Sequence, residues 1–195
     1  VHGYTPRAVN TAIDAGVKVI EHGQLLDRDT VKRMAREGVW LSFQPFTECS
    51  EPNLNEQQNA KQAIVCQGTA KVYEWMKEFP ELKVTHGTDT FLNPATGLTG
   101  MTAQMERLEE WFTPYEILKM STSNAGELLR LSGPRNPYQE GDLGVVTEGA
   151  YADLLLVDGN PLEDLDAVTD PDNLKIIIKD GVIYKNELSL NVHLA

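Results

Sequence analysis

Two histidines twenty positions apart, His2 in V-H-G-Y-T-P and His22 in V-I-E-H-G, each end a short β-branched run, and a helix-like segment lies between them. Asp89, in V-T-H-G-T-D, ends a third such run. Neutral imidazoles bind zinc or similar divalent ions through one ring nitrogen, and a carboxylate can join them or accept a proton from water activated by the ion. Three such groups at the carboxyl ends of successive strands are what a metal hydrolase built on a β/α barrel requires, because in that architecture all the strand ends open on one face. A lone histidine before a glycine at a strand end is more often structural. The weight here comes from two equivalent histidines and an aspartate at a third end.

The elements that must position these groups read as alternating strand and helix. Thr5 and Pro6 start a helix, with a capping hydroxyl and proline in the first turn, and Val9, Ala12 and Ile13 supply its apolar face. Gly16 suits the left-handed stop. Residues 17–21 form a strand, Asp27 or Asp29 caps a second helix that Gly38 ends, and residues 39–43 form the next strand. A longer helix is predicted over about 57–77, with Ala60, Ile64, Val72, Trp75 and Met76 at helical spacing. Residues 82–85 are a short strand leading to Asp89. Three strand–helix crossovers imply a parallel sheet with right-handed connections.

After Asp89 the pattern changes. Residues 91–100 hold Pro94, Gly97 and Gly100 and read as a loop, followed by helices at about 101–111, 114–120 and 124–131, the last capped by Asn124 with Glu127. From Gly133 the helical period gives way to short strands at 144–146, 152–157, 174–178 and 182–184, joined by Gly, Asp and Pro turns. The expected division is therefore a β/α unit over residues 1–132 and a small β unit over residues 133–195.

The remaining candidates carry less chemistry. His86, three residues before Asp89, is expected to pack or hydrogen-bond behind the site rather than coordinate. His193 lies near a terminus and receives no role. Cys49 and Cys66 do not make a disulfide framework and read as free thiols, and Cys49 has no evident base partner that would make it a nucleophile. The carboxylates between Asp153 and Asp172 lack the pattern of a calcium loop. Trp75 and Met76 read as core.

Composition excludes some classes of function. The chain has 195 residues and a formal net charge of −12 at pH 7. Such a charge would repel nucleic-acid phosphates, so no nucleic-acid partner is expected. No apolar run approaches the roughly 18 residues that a membrane-spanning helix needs.

The motifs V-H-G-Y-T-P, A-G-V-K-V-I-E-H-G, G-T-D-T, S-T-S-N-A-G-E-L-L and G-A-Y-A-D-L-L-L-V-D-G-N-P-L-E-D, taken in this order, resemble the C-terminal half of the amidohydrolase superfamily. The likeness is to its imidazolonepropionase-like and Xaa-Pro dipeptidase-like members, and it runs over residues 1–186. It implies an α/β fold: strands five to eight of a (β/α)8 TIM barrel, followed by the C-terminal part of a small β-sandwich. It implies that His2 and His22 are the metal-binding histidines after the fifth and sixth strands. Asp89 would be the aspartate after the eighth, which contacts metal and shuttles a proton. Tyr4 would stand where related dipeptidases place a tyrosine near the substrate, and residues 90–100 would border the pocket. The implied activity is hydrolysis of a C–N bond, in a dipeptide or cyclic amide, with a divalent metal (zinc for such donors) as cofactor.

One departure from the family pattern is large. The H-x-H pair of the first strand and the lysine or glutamate of the fourth are absent. The chain is therefore expected to be the second half of a longer enzyme. The alternative is a non-catalytic half-barrel that needs the missing half for metal binding. Half a barrel would leave sheet edges open, so self-association into a homo-oligomer is also expected.

Overall fold

The computed structural model describes residues 1–89 and 99–188. By contact the chain divides into two compact units, Val1–Thr90 and Phe91–Ala195.

The first unit alternates strictly: β1 (His2–Gly3), α1 (Pro6–Asp14), β2 (Val19–His22), α2 (Arg28–Glu37), β3 (Trp40–Phe43), α3 (Glu56–Glu78) and β4 (Val84–His86). The strands pair in parallel in the order β1-β2-β3-β4, each joined to the next through a helix, as parallel neighbours require. Among the described residues β1 and β4 are the two edges of this open four-stranded sheet. Its core is Val9, Ile20, Val31, Met34, Leu41, Phe43, Val72 and Tyr73, all essentially without solvent contact. Buried β-branched and aromatic strands covered by helices are the expected composition of a parallel sheet.

The helix signals act as read. Thr5 accepts from the Ala8 amide and caps α1. Asp27, rather than Asp29, caps α2 by accepting from the Thr30 amide at 2.9 Å, and Gly38 closes that helix in the left-handed conformation. In α3 the stripe differs from the expected one. The buried residues are Cys66, Thr69, Val72, Tyr73 and Met76, whereas Ile64 is 59% exposed and Ala60 is exposed as well. Only the second half of α3 reaches the core. Its first half, started by a reciprocal Asn55–Gln58 capping box, faces the β3–α3 loop instead.

The second unit holds α4 (Thr99–Glu106), a short 3₁₀ turn (Arg107–Glu110), α5 (Pro114–Ser121), α6 (Ser123–Leu129), β5 (Leu154–Val157), α7 (Asp166–Thr169), β6 (Leu174–Lys179) and β7 (Val182–Asn186). The last three strands make one antiparallel sheet, β5-β6-β7. A capping box between Thr113 and Glu116 starts α5. Two expectations need correction. The cap position of α6 is Thr122, with no side-chain cap, so Asn124 lies inside the helix. Residues 144–146 form no strand: Gly144 has φ +72° and Val146 is 88% exposed, a turn facing solvent rather than a paired segment.

Candidate active site

Parallel pairing aligns the ends of the first unit's strands. His2 stands opposite Glu21, and Gly3 opposite His22. Phe43 stands opposite His86. The chain therefore turns away at Tyr4, Gly23, Gln44 and Gly87 along a single edge. The turn after β2 is sharp, with positive φ at both His22 (+78°) and Gly23 (+82°). A Cβ at Gly23 would lie 2.9 Å from Leu41 Cδ1 and 3.1 Å from Leu26 Cδ1, so a leucine side chain would have to move. Asp89 also has a positive φ, +48°. Left-handed backbone is costly for a residue with a Cβ and concentrates where function demands a particular side-chain direction. Two of the three expected ligands carry it.

Three aromatic side chains meet at this edge. The His2 and His22 rings lie 4.1 Å apart, tilted by 58°. Tyr4 stacks on His22 at 4.7 Å and 13° and lies 5.3 Å from His2. His22 is 5% exposed, and its Nδ1 is buried without a hydrogen-bond partner among the described residues. Burial lowers its pKa, and the neighbouring His2 lowers it further, against the opposing pull of Asp89, Glu21 and a Gln44 hydrogen bond. Burial raises the pKa of Tyr4, as does the Asp89 charge, so its phenol stays protonated. Asp89 is itself exposed, yet close enough to act on both rings.

This arrangement suits a divalent ion on one side. A buried imidazole kept neutral, with an unpartnered ring nitrogen and a second imidazole beside it, is a ready donor pair. The set is incomplete, since among the described residues no group of three His, Cys, Asp or Glu side chains is close enough to hold a metal. His2 and His22 come together, and the charge of Asp89 reaches His22 and Tyr4. The segment 90–100 expected at the pocket rim falls largely outside the described residues, and His193 lies wholly outside them.

Several residues around the pair escaped the sequence reading. Gln24 is fully buried and donates from Nε2 to Gln44 Oε1 at 3.2 Å. Gln44 follows β3 as Gly23 follows β2, so its place at the same sheet edge was the available signal. Gly68 of α3 packs directly on the Gln24 carbonyl, where any Cβ would overlap the oxygen. His86 holds both its ring nitrogens buried without partners among the described residues, and burial lowers its pKa to about 4. The cysteines are not free thiols. Cys49 and Cys66 form a disulfide, with Cα atoms 5.1 Å apart. They are 17 positions apart in sequence, and the path of the β3–α3 loop brings them together.

The sequence profile of the Amidohydrolase family matches residues 1–184, and the chain belongs to that family. Among characterised relatives it is similar to the ochratoxinase of Aspergillus niger, 26% identical over 95% of this chain and 37% of that protein. Among solved structures it is similar to a prolidase complexed with N-methylphosphonate-L-proline (28% identity, TM-score 0.77, 95% of this chain and 44% of that one). It is similar also to the crystal structure of the A. niger ochratoxinase (25% identity, TM-score 0.75, 95% and 41%). The chain thus spans well under half the length of these relatives.

Proposed function

We propose that this chain carries one side of the active site of a metal-dependent hydrolase that cleaves a C–N bond, an amide or peptide bond in a dipeptide or cyclic amide. The observation that carries the reading is the His2–His22 pair at the sheet edge, 4.1 Å apart, with Asp89 acting on His22. In this reading β1–β4 are half of an eight-stranded barrel, and β5–β7 are one part of a β-sandwich.

His2 and His22 would hold a divalent ion, and zinc suits two imidazoles with a carboxylate. Such an ion, when bound, polarises the substrate carbonyl and makes water acidic enough to supply a nucleophile near neutral pH. The protein's own groups do the rest. Burial keeps His22 neutral and fixed. The exposed Asp89 carboxylate holds a proton at an oxygen and returns it to the leaving amine, acting first as base and then as acid. Tyr4, kept protonated, donates a hydrogen bond to a substrate oxygen.

A second reading, a half-barrel without activity of its own, is favoured by the lack of a three-donor cluster among the described residues. Metal content and hydrolysis of an Xaa-Pro dipeptide panel should be measured for this chain alone and for the protein with its natural flanking sequence. Turnover and stoichiometric zinc are expected only in the latter. If the flanked, metal-loaded protein cleaves neither peptides nor amides, the hydrolase reading is wrong.

A further inference from the structure

The loop over residues 44–55 is held far more firmly than a connection between a strand and a helix needs. Gln44 and Pro45 are buried, and two tight turns follow: the Phe46 amide donates to the Gln44 carbonyl and the Thr47 amide to the Pro45 carbonyl, both at 2.9 Å. They bring the half-buried Phe46 ring alongside His22, 6.3 Å away and within 24° of parallel. The rest of the loop is laid along α3. Gln62 donates to the Glu48 carbonyl at 3.0 Å and to Glu51 Oε1 at 3.2 Å. Asn59 accepts from the Glu51 amide at 2.8 Å and donates to the Leu54 carbonyl at 3.0 Å. Cys66 adds the disulfide to Cys49. Positions 59, 62 and 66 are three and four apart, so they form one helix face. The first half of α3 gives that face to the loop.

A loop clamped by three residues, and carrying one large apolar side chain to the wall of the histidine pair, positions that side chain. We propose that Phe46 is a specificity-determining residue. Its ring forms the apolar wall for the substrate group next to the scissile bond and favours a bulky apolar or aromatic group there, while the Cys49–Cys66 bridge holds the ring in register with His22. This rests on the hydrolase reading above.

The test uses the metal-loaded protein in its natural sequence context and two dipeptides, Phe-Pro and Gly-Pro. Phe46→Ala is expected to lower kcat/KM for Phe-Pro about 10- to 100-fold, chiefly through KM, and to change Gly-Pro by less than about threefold. Phe46→Leu should retain much of the preference. In the double variant Cys49→Ser/Cys66→Ser, the amides of Phe46 and Thr47 should exchange with solvent at least about tenfold faster. Equal losses for both dipeptides in Phe46→Ala would overturn the specificity assignment, and unchanged exchange in the double variant would overturn the clamp. If the wild-type protein cleaves neither dipeptide nor any other amide, the hydrolase reading fails and the selectivity falls with it. Exchange still decides the clamp.

Discussion

At the residue scale, the left-handed backbone of His22 and Asp89 sets local stability against function. Asp89 is exposed, so its side chain adds little packing, and glycine would adopt the same φ without strain. Asp89→Gly is therefore expected to leave the fold unchanged or more stable by about 1 kcal/mol, while the flanked enzyme loses at least about 100-fold in turnover. Thermal melts beside steady-state kinetics check both halves, and near-normal turnover with full metal content would remove Asp89 from the chemistry. His86 makes the opposite kind of prediction. Its folded pKa of about 4 lies below the ordinary histidine value, so between the two the unfolded chain binds more protons than the folded one. Stability is then fully present above pH 6.5 and falls as the pH drops toward 4, by about 3 kcal/mol for this one group. Urea melts of metal-free protein at several pH values should show that slope, and His86→Leu should flatten it.

At the scale of elements, α3 shows how much was legible in the sequence and what was not. Its extent followed from the apolar spacing to within a residue at each end, because period is local, while the Asn55–Gln58 capping box that starts it was not read. Its buried stripe did not, because burial depends on what lies opposite, and opposite Ala60 and Ile64 there is no core. The Cys49–Cys66 bridge was unreadable for the same reason: seventeen residues of loop and helix must fold before the two sulfurs meet. Removing it should cost about 3 kcal/mol, the loop-closure value for that span, and chemical denaturation of the double serine variant measures it. Gly68 gives a sharper test. In an exposed helix, glycine to alanine gains about 1 kcal/mol. Here the new methyl would overlap the Gln24 carbonyl oxygen, backbone that cannot yield as a side chain could. Gly68→Ala is expected to destabilise by about 1–3 kcal/mol. A stabilised variant would mean that α3 does not sit so close to Gln24.

At the scale of the whole molecule, the meeting of His2 and His22 was legible in the sequence because strand ends of a parallel sheet share an edge wherever they fall in the chain. Gln24, Gln44 and Phe46 were not, since they gain meaning only from a loop's return path. Among the described residues β1 and β4 are the edges of the sheet, where another strand could add, and a charge of −12 opposes the approach of a second copy. Self-association of this chain should therefore strengthen when salt rises from about 0.05 to 0.5 M, as screening shortens the reach of that repulsion. Sedimentation velocity at the two salt concentrations tests it, and dissociation at high salt would contradict it. The clamp on α3 also bears on which sequence changes such a scaffold can survive. One residue inserted between Asn59 and Cys66 would turn everything beyond it by about 100°. Either the anchoring face or the core face would then be lost. A residue inserted between Glu51 and Leu54 would only lengthen the loop, so natural length variation in this region is expected in the loop and not in the second and third turns of the helix.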